Sequence, residues 1–257
     1  MKNIVVVTGG AGFVGSNLIE LLLKETKYKI ISIDNYSSGY KKNHIKNERV
    51  KYIKSNTKNI SKVLSHIIKD IHTVFHFGEF SRIYQSFIRM DECINSNSIG
   101  THAVFNFCMT NKIKLIYSAT SATLGNNGED KNLSPYAFTK AKNLELLDNL
   151  KKWFNFKFEI IYFYNVYGPR QICIGDMATV IGIFENCFKN NIALPIVKPG
   201  SQTRRFTHID DTVKTRRGKK MPGVSSHFDH LTARCVMGQQ IVTLGVANDE
   251  QFVPVDN

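Results

Sequence analysis

The chain has 257 residues, 42% of them hydrophobic, which is enough to bury a sizeable core. No apolar run reaches the roughly 18 residues of a membrane span, and no secretory signal precedes the first strand pattern, so we expect a cytoplasmic protein without a membrane partner. The net charge of +13 suits an anionic ligand such as a nucleotide, but the lysines are too dispersed to indicate nucleic-acid binding. Five scattered cysteines without a zinc spacing indicate reduced thiols and no metal site.

Strand-like and helix-like patterns alternate along the first 168 residues. Helical patterns cover 13–24, 60–68, 86–109 and 134–152. Apolar, β-branched runs lie between them at 3–9, 28–34, 49–55, 71–78, 113–120 and 157–168. Continuous runs of this kind are typical of strands buried on both faces of a parallel sheet. The pattern therefore predicts an α/β fold with a doubly wound parallel sheet, the Rossmann fold.

The pattern becomes less regular after residue 168. A helix is predicted over 176–191, and short strands are predicted over 193–197 and 203–210. This region has the size of an incomplete small substrate-binding region. From about residue 214 the composition shifts towards Val, Gly and Arg, and the densest basic cluster, KTRRGKK, lies at 214–220.

A glycine-rich turn separates the first strand pattern from the first helix. In TGGAGFVG, Gly9 suits a tight turn, Gly12 lets the backbone approach a pyrophosphate, and Gly15 lets the helix pack closely on the strand. The positive end of the helix favours phosphate groups. Asp34 ends the second strand 19 residues after Gly15, where a carboxylate accepts hydrogen bonds from an adenosine ribose and repels a 2′-phosphate. We therefore expect NAD rather than NADP.

Tyr136 and Lys140 lie four residues apart in a predicted helix and so share one face. A free phenol is a weak base at neutral pH, but a nearby ammonium favours the phenolate. Such a pair suits removal of a hydroxyl proton while a hydride leaves for NAD. Thr120, at the end of the fifth predicted strand, is placed to hold the substrate oxygen.

Together these residues resemble the NAD-dependent epimerase/dehydratase family of the extended short-chain dehydrogenase/reductases, in particular its UDP-glucose 4-epimerase-like members. FYNVYGPR at 163–170 and GSQTRRFTHIDD at 200–211 are further matches, and the resemblance covers about residues 1–213. It implies that Tyr136 is the catalytic base, that Lys140 holds the nicotinamide ribose and tunes Tyr136, and that Thr120 replaces a serine. It also implies a homodimer formed through the helices at 86–109 and 134–152.

The resemblance assigns binding roles to two sets of residues. The cofactor set is Gly9, Gly12, Phe13, Val14, Gly15, Asp34, Asn35, Asn56, Phe77, Gly78, Glu79, Ser96, Asn97, Tyr136, Lys140 and Tyr164. The substrate set is Ser81, Thr120, Asn165 and Arg204. The chain departs from the family's usual residues at Asn56, Glu79, Ser81, Ala178 and Arg205.

The residues after Thr120 bear on the reaction. Related dehydratases carry an Asp-Glu pair there, whereas this chain has Ser121 and Ala122, which cannot drive elimination of water. The resemblance therefore implies epimerisation of a nucleotide sugar, a UDP-sugar by the typical member, through a transient 4-keto sugar. A 4-keto reductase or dehydrogenase is an alternative. A truncated NAD-binding module without turnover is another.

The end of the chain resembles a different family. Members of the epimerase family are longer, and their last portion closes over the nucleotide base, so we expect the substrate region to be truncated. Residues 214–257 resemble a fragment of the DDE transposases of insertion sequences, in which Asp210 or Asp211 would match a metal ligand. A divergent substrate domain is the alternative. We thus expect an NAD-binding domain at 1–168, a partial substrate region at 169–213 and a foreign or poorly ordered tail at 214–257.

Overall fold

A central sheet of six parallel strands forms the body of the protein. The computed structural model describes residues 2–123, 130–198, 200 and 206–210, and four short strands beyond them. The six strands are β1 Ile4–Thr8, β2 Lys29–Asp34, β3 Val50–Lys54, β4 Ile71–His76, β5 Lys114–Thr120 and β6 Phe158–Phe163. Their order across the sheet is β3-β2-β1-β4-β5-β6, and every neighbouring pair is parallel. This order is that of a doubly wound dinucleotide-binding sheet, so the predicted fold class is confirmed.

Seven α-helices connect and flank the strands in the described part of the chain. They are α1 Phe13–Glu25, α2 Ile60–Leu64, α3 Ile83–Ile88, α4 Met90–Ile94, α5 Thr101–Thr110, α6 Pro135–Phe154 and α7 Val180–Lys189. α6 starts where the sequence dictates, because the Ser134 side chain accepts a hydrogen bond from the Ala137 amide and Pro135 occupies the first helical position. It ends at Asn155, which takes the left-handed conformation that asparagine tolerates.

The core has one layer on each face of the sheet. Val5 and Val7 of β1 face α1 and pack with Leu18 and Ile19. Val6, between them, faces the other layer, which contains buried residues of α5 such as Phe105. Successive side chains of a strand point to opposite faces, so a run of valines is buried on both sides. The continuous apolar segments seen in the sequence follow from this two-sided burial.

The sheet contains the reversal in strand order that forms ligand crevices in such folds. β1 is flanked by β2 on one side and by β4 on the other, so the connections after β1 and β3 leave in opposite directions. The loops at the carboxyl ends of β1 and β4 therefore diverge. In sheets of this kind, ligands bind in the opening that such a divergence creates.

Several predicted elements differ from the observed ones. The strand predicted over 157–168 is divided, because β6 ends at Phe163 and residues 166–167 pair in a separate small sheet, and the helix predicted over 60–68 ends at Leu64. The helix predicted over 86–109 is divided into α3, α4 and α5, because Arg89 leaves helical geometry (φ −116°, ψ 48°) and a π-helical turn, Asn95–Gly100, joins α4 to α5. The strand predicted over 193–197 is irregular. It contains Pro195, which has no amide hydrogen to donate to a sheet.

The region after residue 164 forms small separate pairs of strands. β7 Val166–Tyr167 pairs in parallel with β8 Thr207–His208, which is the part of the predicted 203–210 strand that is observed. In the tail, β9 Val224–Asp229 pairs antiparallel with β10 Arg234–Gln239, and β11 Gly245–Ala247 with β12 Phe252–Pro254. None of the helices in the described ranges combines the length and apolar character needed to cross a membrane.

Candidate active site

A cavity of about 860 Å³ opens at the carboxyl ends of the central strands. Its walls come from the glycine turn after β1, the end of β2, the loop after β4, the end of β5 and the start of α6. Its size lies within the range of small-molecule and cofactor sites. The predicted motifs therefore meet around one opening.

The glycine turn forms one end of this cavity. Gly9 has φ +73°, and a Cβ atom there would lie 2.7 Å from the Phe77 carbonyl oxygen. A side chain at Gly15 would collide with the backbone of Gly9. α1 begins beyond Gly12, which has no side chain to cap the helix, and its first turn contains no acidic residue. The exposed amides and the helix dipole thus form a cradle that fits a diphosphate.

Asp34 lies at the same end of the cavity. Its carboxylate accepts hydrogen bonds from the Ala11 amide at 2.9 Å and the Tyr36 amide at 2.8 Å. Burial raises the pKa of Asp34, and the backbone hydrogen bonds oppose that shift. The two oxygens are thereby held beside the glycine turn, where they fit the hydroxyls of an adenosine ribose.

Tyr136 and Thr120 both line the other end of the cavity. Tyr136 is 8% exposed and packs against Phe80 and Cys93. No hydrogen bond to its hydroxyl occurs within the described residues. The Thr120 hydroxyl accepts a hydrogen bond from the Ala122 amide at 3.2 Å and retains its proton for a ligand. Two hydroxyl groups are therefore presented to one space, a phenol and an alcohol.

Lys140 is bound to the protein from two sides. Its ammonium donates to the Ser118 carbonyl oxygen at 2.6 Å and forms an ion pair with Glu79. Its side chain is only 4% exposed and that of Glu79 only 2%. The lysine is thus fixed on the face of α6 that also carries Tyr136, and its charge has a buried partner.

A buried histidine supports the loop that carries Glu79. His76 Nδ1 lies 2.7 Å from the Thr8 hydroxyl and Nε2 lies 2.9 Å from the Thr101 hydroxyl. Thr8 in turn accepts hydrogen bonds from the Phe77 and Gly78 amides. Burial lowers the pKa of His76 to about 4, so the ring is neutral near pH 7. The end of β4 is thereby tied to β1 and α5.

Comparison with known proteins identifies the family. The model of the NAD dependent epimerase/dehydratase family matches residues 5–215. The chain belongs to this family. NAD is the family's cofactor, as predicted, and the glycine turn and Asp34 fit it. A second model, that of the DDE superfamily endonucleases, matches residues 190–257, which confirms the predicted second resemblance and overlaps the first match over 190–215.

The relatives of this chain include epimerases of sugar nucleotides. An uncharacterized UDP-glucose epimerase of Bacillus subtilis is 30% identical over 82% of this chain and 70% of its own length. The UDP-glucose 4-epimerase of Thermotoga maritima, solved with UDP-glucose, has a TM-score of 0.74 at 26% identity, covering 82% of this chain and 71% of that one. A UDP-N-acetylglucosamine 4-epimerase of Methanobrevibacter ruminantium has a TM-score of 0.73 at 29% identity, covering 83% and 71%.

Most of the site residues expected of an epimerase-family member line the cavity. Two of those within the described residues are not among its lining residues. Asn97 is fully buried and its side-chain amide bonds to the Phe80 backbone, so it supports the loop after β4 from behind. Tyr164 is not a lining residue, although its neighbours Phe163 and Asn165 are. Arg204 lies outside the described residues. Those that line it are Gly9, Gly12, Phe13, Val14, Gly15, Asp34, Asn35, Asn56, Phe77, Gly78, Glu79, Ser81, Ser96, Thr120, Tyr136, Lys140 and Asn165.

Sequence reasoning missed Arg82, which also lines the cavity of this epimerase-family protein. Its guanidinium donates to the Met177 carbonyl oxygen at 2.6 and 2.9 Å and to that of Ser81 at 3.0 Å. Burial lowers the pKa of Arg82, and the proximity of Tyr136 opposes this. The sequence offered one signal for this residue. The segment HFGEFSR, at the end of a strand pattern, carries an arginine three residues after Glu79.

Proposed function

We propose that this protein catalyses the NAD-dependent epimerisation of a nucleotide sugar, a UDP-sugar, at C4 through a transient 4-keto sugar. The observation that carries the proposal is the meeting of Tyr136, Thr120 and Lys140 with the glycine turn and Asp34 around one cavity. The family match supports the reaction class. The named relatives act on UDP-sugars, which supports the substrate class.

The proposed roles follow from the geometry of the site. Held by the glycine turn and Asp34, NAD would supply the chemistry of accepting a hydride from the sugar carbon and returning it to the opposite face. Tyr136 removes the proton of the C4 hydroxyl and later returns it, since its own hydroxyl is available to a ligand. Thr120 holds the same oxygen by a hydrogen bond. Lys140 is fixed on the same helix face, from which its ammonium favours the phenolate.

The lining residues after β5 support epimerisation over dehydration. Ser121 and Ala122 line the cavity beside Thr120, and neither carries an acid that could eliminate water. We assign cofactor binding to the lining residues of the glycine turn, of the β2 and β4 loops and of α6. We assign substrate contacts to Ser81, Thr120 and Asn165, and to Arg204 by resemblance alone.

We further propose a division into an NAD-binding domain, 1–168, a partial substrate region, 169–213, and a tail, 214–257. The chain spans about 70% of the length of the named relatives, and the change of family match between 190 and 215 supports the last boundary. Free thiols at Cys93, Cys108, Cys173 and Cys187 support a cytoplasmic location.

We propose a homodimer through the helices at 86–109 and 134–152, to which the face of α3 and α4 contributes exposed apolar side chains. Tyr84, Phe87 and Ile88 of α3 are 72%, 57% and 64% exposed, and Met90 of α4 is 53% exposed. Exposed apolar side chains gathered on two successive helices favour a protein interface. Phe87→Ser should give a monomer in sedimentation velocity, whereas Phe188→Ser on α7, which removes an 82% exposed ring, should not. A monomeric parent protein would overturn the proposal.

The function is tested on the purified protein. NAD released by denaturation is quantified, and a second sample is incubated with UDP-glucose and with UDP-N-acetylglucosamine while the C4 epimers are resolved by chromatography. Epimer formation without net NADH supports the proposal, and Tyr136→Phe should abolish it. Bound NAD without product favours the module without turnover, and stoichiometric NADH with a 4-keto product favours a dehydrogenase.

The absence of a nucleic-acid partner is also a proposal. The basic cluster at 214–220 lies outside the described residues. Retention on immobilised DNA should be lost at moderate salt, and deletion of residues 214–257 should not change it. Strong retention that this deletion abolishes would place a nucleic-acid site in the tail.

A further inference from the structure

Arg82 lies in the wall of the cavity, at the end that carries Tyr136. The Arg82 carbonyl oxygen accepts a hydrogen bond from the Ser86 amide at 3.2 Å, and the Ser86 hydroxyl accepts one from the Tyr136 amide at 3.2 Å. The Arg82 guanidinium donates to the carbonyl oxygen of Met177, whose side chain packs against the apolar cluster that contains Tyr136. Both the backbone and the guanidinium of Arg82 are therefore tied to the surroundings of the proposed base.

The guanidinium of Arg82 keeps hydrogen-bonding capacity for a ligand. Nε and Nη2 donate to the Met177 carbonyl oxygen at 2.9 and 2.6 Å, and Nη1 donates to that of Ser81 at 3.0 Å. A guanidinium has five N–H groups, so one remains on each terminal nitrogen. Two such groups match the two oxygens of a carboxylate, which arginine often binds through paired hydrogen bonds.

The charge of Arg82 has no acidic partner in the part of the chain that the structure describes. Three acids line the cavity, namely Asp34, Glu79 and Asp130. Asp34 lies at the glycine turn, and Glu79 is paired with Lys140. Within the described ranges, no ion pair joins Arg82 to any of the three, and a charge taken out of water without a counter-charge is unfavourable. An anionic group on a ligand would supply that counter-charge.

Arg49 shows that hydrogen bonds to backbone oxygens do not by themselves indicate a ligand site. Its guanidinium also donates to two carbonyl oxygens, those of Leu23 and Thr26 at the end of α1. Arg49 is not among the lining residues of the cavity, however. Arg82 differs from it in combining such bonds with a place in the cavity wall.

We propose that Arg82 binds the carboxylate of a hexuronic acid, so that the preferred substrate is a UDP-hexuronate. The inference rests on the proposed function, in which Tyr136 acts on the hydroxyl at C4 of the sugar. C6, which carries the carboxylate, is attached to C5, the ring neighbour of C4, whereas the diphosphate is attached to C1 across the ring. A cation beside Tyr136 is therefore placed for the C6 carboxylate. A neutral hydroxymethyl group would leave its charge unmatched.

The test is the affinity of NAD-saturated Tyr136→Phe protein for UDP, UDP-glucose and UDP-glucuronate, measured by isothermal titration. This variant lacks the proposed base and should bind the ligands without turnover. UDP-glucuronate should bind at least about tenfold more tightly than UDP-glucose, as expected of charge-assisted hydrogen bonds. Equal affinities, or no binding of UDP-glucuronate, would overturn the proposal.

Substitutions in the same protein separate carboxylate recognition from other roles of the arginine. Arg82→Gln should weaken UDP-glucuronate binding at least about tenfold and change UDP-glucose binding little. An equal loss for all three ligands would assign Arg82 to the diphosphate or to loop structure and would overturn the proposal. Arg49→Gln is the matched control, since it also loses hydrogen bonds to backbone oxygens, and it should keep the preference.

A second substitution keeps the test decisive if Arg82→Gln does not fold. Arg82→Lys retains the charge but not the paired donors, so the preference for UDP-glucuronate should shrink several-fold. An undiminished preference would contradict the proposed pairing. Binding is measured apart from turnover: a preference without epimer formation would count against the proposed function alone, and epimerisation of UDP-glucose without the preference would count against this inference alone.

Discussion

The two ends of the cavity are built in different ways. The glycine end depends on backbone: Gly9, Gly12 and Gly15 lie within seven positions of one another and shape the turn through the side chains they lack. The tyrosine end depends on side chains from distant elements, and the bond between Glu79 and Asn143 spans 64 positions. The glycine end can therefore be altered by steric crowding, and the tyrosine end by a change of charge or hydrogen bonding.

The largest effect is expected at the tyrosine end. Tyr136→Phe removes the proposed base and should reduce kcat by about 10²–10⁴-fold, the usual contribution of general acid–base catalysis. The amount of NAD bound should not change, because the glycine end is untouched. Steady-state epimerisation and cofactor analysis measure the two quantities. Tyr40→Phe, at a 45% exposed ring, is the matched control and should be neutral. Comparable activity in both variants would remove Tyr136 from the mechanism.

The buried histidine behind the tyrosine end, His76, should make the folded protein less stable in acid. The unfolded chain protonates His76 near pH 6.5, whereas the folded chain does so only near pH 4. Between these values the unfolded state binds more protons, so the free energy of unfolding falls as the pH falls, by about 3 kcal/mol in all. Urea denaturation across this range should show the slope in the parent protein.

The variant His76→Gln should weaken that slope while lowering stability at neutral pH. His102→Gln, at an exposed histidine of α5, provides the control and should keep the parent slope. An identical pH dependence in His76→Gln would mean that other groups cause the acid sensitivity.

The contrast between the two ends also explains what the sequence could reveal. Gly9 and Asp34 could be assigned because turn geometry and strand-end position follow from local spacing. Glu79 could be placed near the cofactor only by resemblance, and its bonds to Tyr117, Asn143 and Lys140 depend on how β5 and α6 pack. Its side chain therefore faces the interior, which no local pattern indicates.

Two smaller discrepancies have the same origin. Asn97 lies in a π-helical turn, and that turn directs its amide to the Phe80 backbone instead of the cavity. The break at Arg89 divides the predicted helix without a glycine or proline in the sequence that would indicate it, and the Arg89 guanidinium there lies 5.5 Å from the centre of the Phe80 ring, in the loop after β4. The sheet, by contrast, was predicted strand for strand, because two-sided burial leaves a continuous apolar run.

A steric test addresses the glycine end. Gly9 and Gly175 both have positive φ, +73° and +83°, but a Cβ at Gly9 meets the Phe77 carbonyl oxygen whereas one at Gly175 meets nothing within 4 Å. Both alanine variants therefore place a side chain at a positive φ that such residues rarely adopt. Gly9→Ala should lose an additional 1–3 kcal/mol or so in the free energy of unfolding, typical of overpacking, and bind less NAD. Equal losses would mean that the turn has room for a side chain.

The smallest effect is expected for the carboxylate at the glycine end. Asp34→Asn keeps the side-chain shape but removes the charge, and it leaves one of the two amide donors, Ala11 or Tyr36, without its oxygen. NAD affinity should fall by about tenfold, corresponding to one charge-assisted hydrogen bond, and the preference over NADP should shrink because the repulsion of a 2′-phosphate is lost. Isothermal titration with both cofactors measures the two changes, with Asp148→Asn on exposed α6 surface as the control. If Asp34→Asn retains NAD affinity while Gly9→Ala abolishes binding, the glycine end holds NAD through its backbone alone.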